Sequence, residues 1–295
     1  MAPCGIWRKL PVKNQTRILL LGDSTLITTY LPEEDMFSRA LERELKTLGL
    51  EAEIFNAADN GEFIARYLLS GAYERMRARQ HGADIIAVRF GVNDEKRTPA
   101  WEFGMHLEIL LDLLDEDFPG ARIILETGIY MDPEHYFRDR NQTLIPYWQK
   151  TREIAAGRGH MLCDVYSAME RETAKGNWDL RIRRNMPDGS RALDASQDAG
   201  REHDKVWFTD VHPNAKGTRL AAGELARCLA GAFPNGFPSG QARRERNAKS
   251  AEEYSDLLAF APERLLATGN PAWRPGGQTA TDDLQNALNP TDKTL

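Results

Sequence analysis

"RILLLGDSTLI", residues 17 to 27, decides the reading of this chain. A run of apolar residues reads as a buried strand, and it breaks at Gly22-Asp23-Ser24-Thr25. Asp, Ser and Thr are good helix N-caps, so the break has a plain structural explanation. Alternatively, Ser24 is a nucleophile held at the carboxyl edge of a parallel sheet. Partners for Ser24 elsewhere in the chain separate the two.

Four further apolar runs read as strands: "AEIFNAA" (52 to 58), "DIIAVRFG" (84 to 91), "ARIILETG" (121 to 128) and "HMLCDV" (160 to 165). They are short and continuously apolar, as strands buried on both faces are. Helical spacing fills the intervals. In residues 35 to 50, Phe37, Leu41, Leu45 and Leu48 share one face, and Gly49 is a stop. Residues 63 to 82 and 100 to 120 behave similarly, and 214 to 233 supply a last helix. This alternation predicts an α/β chain whose parallel sheet is covered on both faces. Ligands of such sheets bind beyond the carboxyl ends of the strands.

Those ends carry chemistry. Gly61 follows the second strand in "FNAADNGEF", and the third ends in Gly91-Val92-Asn93-Asp94. "FTDVHPNAKG" places Asp210 and His212 just before the last helix. Taken together, these blocks resemble the SGNH hydrolases, also called the GDSL esterase/lipase family. The marks are a Ser block, a Gly block, a Gly-x-Asn-Asp block and a late Asp/His block, in that order. The resemblance covers residues 16 to 232 and implies a three-layer α/β/α sandwich, flavodoxin-like, with a mainly parallel five-stranded sheet.

It also implies a reaction: hydrolysis of a carboxylic ester through an acyl-Ser24 intermediate, without a cofactor. A serine hydroxyl needs an adjacent base, and His212 is the candidate. The oxyanion needs prearranged donors; the family pattern supplies the backbone N–H groups of Ser24 and Gly61 and the Asn93 amide. Gly61 also fits locally, because a residue without Cβ allows close approach to a ligand. Each residue has a plainer reading. Ser24 could only cap, Asn93 could bond its own loop, Gly61 could be a turn glycine, and His212 a loop histidine before Pro213. Asp23 and Asp94 read as structural.

One departure from the family pattern concerns the acid, which usually stands three residues before the histidine. Thr209 holds that place, and Asp210 lies two before His212. Asp210 is therefore the candidate third member, with a backbone carbonyl as the alternative and Asp204 a distant third.

Substrate contacts are expected from "IYMDPEHYFR" (129 to 138), in particular Tyr130, His135 and Tyr136, since that segment follows the fourth strand. With the polar insertion at 166 to 209, its character favours a short acyl or O-acetyl ester of a carbohydrate over a long acyl chain. Acyltransferase, thioesterase, lysophospholipase and a catalytically silent carbohydrate-binding module are the alternatives.

The net charge of −6 and pI near 5.6 give no general attraction to nucleic acid. No apolar run approaches the roughly 20 residues of a membrane span. The first sixteen residues lack the apolar stretch of a secretory signal. The expectation is a cytoplasmic protein, or a secreted one if the signal is missing from this sequence. Three widely spaced cysteines suggest neither disulfides nor a zinc site, and Cys163 and Cys228 read as buried thiols. His81, His106, His135, His160 and His203 share no ligand spacing. Residues 1 to 15 read as a lead-in and 233 to 295 as a polar tail with a short helix near 250 to 267.

Overall fold

The computed structural model describes residues 15–79, 82–131, 139–176, 180 and 211–237. Five parallel strands form one sheet in the order β2-β1-β3-β4-β5. They are β1 (Thr16–Gly22), β2 (Ala52–Asn56), β3 (Ile85–Arg89), β4 (Arg122–Glu126) and β5 (Met161–Cys163). This is the flavodoxin-like order, in which the chain moves one way from β1 to β2 and the other way from β3 onward. The switch point therefore lies between β1 and β3. There Ile18 pairs with Ile85 and Gly22 with Arg89.

Apart from Arg17 and Arg122 near their starts, the central strands are buried on both faces, which is why they read as unbroken apolar runs. The edge strand β2 is half-exposed throughout. Each strand ends one to three residues before its apolar run does, and those terminal residues form the loops that carry the site.

The helices are α1 (Ser24–Ile27), α2 (Phe37–Thr47), α3 (Ile64–Leu69), α4 (Ala72–Arg79), α5 (Ala100–Asp117), α6 (Arg140–Arg158), α7 (Val165–Ala174) and α8 (Ala215–Ala232). Right-handed crossovers dictate their faces. The β1-to-β2 connection puts α2 on one face, where it packs on α8, and α8 packs on α7. The connections running the other way put α3, α5 and α6 on the opposite face, packed on one another. The result is a three-layer α/β/α sandwich.

Three local expectations are corrected. The single helix expected over 63 to 82 is two, broken at Ser70-Gly71, where Gly71 has φ +74°. Leu48 does not belong to the buried face of α2; it is the C-cap and is exposed. Residues 166 to 174, expected to open the polar insertion, continue α7 instead. Its first turn is capped by Asp164, whose carboxylate accepts from the Ser167 N–H at 3.2 Å. Of the rest of that insertion only residues 175, 176 and 180 are described; residues 1 to 14 and the tail helix lie outside the described residues.

Helix α6 was not legible as a helix, although Leu144, Trp148, Thr151, Ile154 and Ala155 form a buried stripe along it. Pro146 and the polar Thr151 interrupt the pattern. Trp148 is fully buried and lies against Gly91 and Gly128. A Cβ on Gly91 would stand 2.4 Å from the indole and one on Gly128 2.3 Å from it, so both positions require glycine. The indole thus packs against the exits of β3 and β4.

Candidate active site

Ser24 is the first residue of α1, not its cap. The cap is Asp23, whose carboxylate accepts from the Thr25 N–H at 2.8 Å and from its hydroxyl at 2.7 Å. Gly22 cannot carry a side chain, because its Cβ would stand 2.3 Å from the Arg89 carbonyl oxygen on β3. The tight strand-to-helix turn therefore follows from Gly22 and Asp23, and it leaves the Ser24 hydroxyl free for other work. That hydroxyl meets His212: Nε2 lies 2.8 Å from Oγ.

His212 stands two residues before Asn214, which caps α8, its side chain accepting from the Gly217 N–H at 2.9 Å. The Tyr30 ring lies against the imidazole, with centroids 4.9 Å apart. Asp210, His135 and Tyr136 lie outside the described residues.

The loops after β1, β2 and β3 are tied together. The Asp59 N–H donates to the Gly22 carbonyl at 3.1 Å, and the Asn56 side chain donates to the Leu26 carbonyl at 2.9 Å. Gly61 sits in the turn that follows, at φ +67°, a conformation that favours glycine. The Asn93 amide donates to the Glu62 carbonyl at 3.0 Å, so Asn93 is fixed beside Gly61. An amide has two N–H bonds, so one remains for a ligand.

Asp94 clamps the same loops, accepting from the Ile64 N–H and the Gly91 N–H, each at 2.9 Å. Burial pushes its carboxyl up to about 7, against those two donors, with the Asp23 charge pushing the same way. Burial likewise raises Asp23, while its bonds to Thr25 and the charges of Arg89 and His212 pull it down. Asp23 and Asp94 are thus backbone-bonding residues. Arg140 adds a last tie from α6, donating to the Val92 carbonyl at 3.1 Å while paired to Glu95 at 2.7 Å.

Arg89 was overlooked in the sequence. Its guanidinium pairs with Glu126 at 2.6 Å, both side chains being buried, and it donates to the Thr25 carbonyl at 3.3 Å. The signal was present, because a lone Arg ends one apolar run and a lone Glu stands near the end of the next. Buried charges of opposite sign at matching places on neighbouring strands call for each other.

Tyr130 is half-buried beyond β4 and packs edge-on to Tyr166, with centroids 5.2 Å apart. Burial pulls His106 down to about 4, and Cys163 is buried while Cys228 is half-buried. Among the described residues, no group of three or more His, Cys, Asp or Glu is placed to hold a metal ion, and no helix is long and apolar enough to cross a membrane.

The profile of the GDSL-like Lipase/Acylhydrolase family matches residues 20–220, a span reaching from β1 into α8. The chain belongs to this family. It is accordingly an SGNH-type hydrolase acting on an ester. Solved structures share its fold. The lipase/acylhydrolase from Enterococcus faecalis is 19% identical with a TM-score of 0.53, covering 74% of this chain and 97% of its own. The lipolytic G-D-S-L protein from Veillonella parvula is 15% identical with a TM-score of 0.52, covering 72% and 97%. The acetylxylan esterase from Geobacillus stearothermophilus is 18% identical with a TM-score of 0.51, covering 74% and 96%. Among curated proteins, none matches this chain.

Proposed function

We propose that this SGNH-type hydrolase is a serine esterase that removes short acyl or O-acetyl groups from a carbohydrate through an acyl-Ser24 intermediate. The observation that carries the catalytic part is the 2.8 Å approach of His212 Nε2 to Ser24 Oγ. At that distance the imidazole can take the hydroxyl proton as the oxygen attacks the ester carbonyl. The oxyanion that forms is held by the backbone N–H groups of Ser24 and Gly61 and by the free Asn93 N–H. The intermediate collapses, the alcohol leaves with the proton from His212, and the acyl group stays on Ser24. His212 then activates water, which releases the acid and restores the serine. Asp210 is the proposed orienting acid for the imidazole.

The substrate class rests on lighter support. The half-buried Tyr130, with His135 and Tyr136 in the segment that follows it, offers aromatic and polar groups suited to a sugar. An acetylxylan esterase shares the fold.

Intact-mass detection of a serine-directed organophosphonate adduct tests the nucleophile, and a panel of acetylated sugars against longer acyl esters tests the substrate. One adduct is expected, absent in Ser24→Ala, with turnover best on acetyl esters. An adduct that persists in Ser24→Ala would show another nucleophile. Equal or better turnover of long acyl chains would move the substrate class to lipids.

A further inference from the structure

We propose that Tyr30 is a positioning residue for His212, a wall that holds the imidazole where Nε2 faces the Ser24 hydroxyl; this rests on the roles given to Ser24 and His212 above. Tyr30 grips the histidine segment twice. Its ring lies 4.9 Å from the imidazole at a tilt of 57°, and its hydroxyl donates to the carbonyl of Pro213, the next residue, at 3.0 Å. With the hydroxyl anchored, the ring cannot turn away. The χ2 torsion of a histidine is broad and roughly two-fold, so an imidazole without a wall can swing or flip.

What makes Tyr30 a wall rather than a passive neighbour is how its own turn is built. The turn starts at Thr28, the C-cap of α1, whose N–H donates to the Ser24 carbonyl at 3.2 Å. Among the described residues, Thr28 is the only non-glycine with positive φ, at +50°. β-branched residues rarely adopt that conformation, and it persists only where surrounding contacts enforce it. Here they do. The buried Thr28 hydroxyl accepts from the Phe37 N–H at 2.8 Å, and the Leu31 N–H closes back on the Thr28 carbonyl at 3.0 Å.

Ser24, Thr28 and Tyr30 therefore form one stiff unit. The base arrives from 188 residues away and is set against that unit by the tyrosine. The spacing between nucleophile and base is thus written into the single segment from Ser24 to Tyr30, on the nucleophile's side.

The test compares Tyr30→Leu, Tyr30→Phe and His212→Ala on p-nitrophenyl acetate, with kcat and KM resolved and circular dichroism and thermal melts confirming folding. Misplacing a catalytic group by about 1 Å can cost about a hundredfold. Tyr30→Leu is expected to lower kcat by about tenfold or more while KM stays within about twofold. Organophosphonate labelling of Ser24 should slow in parallel, because it needs the same proton transfer. Tyr30→Phe keeps the ring and should recover most of the loss. If Tyr30→Leu does not fold, Tyr30→Met, which fills the space without ring or hydroxyl, carries the same expectation.

An unchanged kcat in Tyr30→Leu would overturn the proposal. So would a raised KM at constant kcat, which would make Tyr30 a substrate contact. Should His212→Ala itself lose almost nothing, the catalytic reading beneath the proposal fails. Collapse of His212→Ala beside an intact Tyr30→Leu removes the positioning role alone.

Discussion

His212 Nε2 stands 2.8 Å from the Ser24 hydroxyl oxygen, although 188 residues separate the two in the chain. The sheet's strand order makes this possible, because Ser24 leaves β1 at the switch point and His212 precedes the helix that packs back across β5 toward α2. Asn214, not His212, caps α8. Asp23, not Ser24, caps α1. Ser24→Ala and His212→Ala should therefore each lower kcat by about 10⁴-fold or more, with melting temperatures within a few degrees of the parent. Steady-state kinetics alongside thermal melts would show this. A loss of activity matched by a loss of folding would mean that the pair is structural.

The Asn93 amide has two jobs, and one variant separates them. One N–H holds the Glu62 carbonyl at 3.0 Å, and the other is the proposed oxyanion donor. Asn93→Ala should lower kcat by about 10² to 10³ with little change in KM, the usual cost of one such donor. It should also cost about 1 kcal/mol of stability for the lost loop bond. Kinetics and urea unfolding measure the two effects separately. If kcat fell less than about threefold, far short of a donor's cost, Asn93 would be a loop tie and nothing more.

How much of this the sequence disclosed depends on the kind of signal each residue leaves. β1, β3 and β4 were legible because burial on both faces forces continuous apolar runs. Ser24, Gly61, Asn93 and His212 were singled out as a set by the family resemblance, and each stands just after a strand, in the loop that follows one, or shortly before a helix. Helix α6 was not legible. Its inner stripe includes Thr151, whose hydroxyl is satisfied by the Tyr147 carbonyl at 3.0 Å, and Pro146 lies inside the helix. Tyr30 left no local signal either, because its partner is Pro213, distant in sequence and close only after folding. Arg89 and Glu126 were legible as charges out of place, but only the strand register turns them into a pair.

Trp148 couples the core to the loops above it. Its ring occupies the space over Gly91 and Gly128, where an added Cβ would stand 2.4 Å and 2.3 Å away. Gly128→Ala should therefore destabilise by about 1–3 kcal/mol through overpacking, and Trp148→Ala by about 3–5 kcal/mol through the cavity it leaves. The combination Gly128→Ala with Trp148→Leu should recover part of the Gly128→Ala loss, since the smaller side chain vacates the clash. Urea unfolding of the singles and the double gives the coupling directly. Strict additivity would show that the ring and Gly128 do not compete for one space.

Asp94 makes stability depend on pH in an unusual direction. In the folded chain its buried carboxyl titrates near 7, while its ordinary value is 3.8. Between those limits the folded state holds a proton that the unfolded state has released. Stability contributed by this group is therefore fully present below about pH 4, declines as pH rises toward 7, and is gone above it. The steepest slope is about 1.4 kcal/mol per pH unit, one proton's worth. Asp94→Asn provides the reference, because an amide does not titrate there and the other groups are shared. That variant carries a roughly constant penalty of its own, about 1–3 kcal/mol, since its amide N–H₂ would face the Gly91 or Ile64 N–H now received at 2.9 Å. Unfolding free energies for both proteins at half-unit steps from pH 4.5 to 8 would isolate the term. The stability of the parent relative to Asp94→Asn should fall across that range and flatten above pH 7. A difference that stays level, or rises with pH, would show that Asp94 is already ionised in the folded chain and that its two backbone donors outweigh its burial.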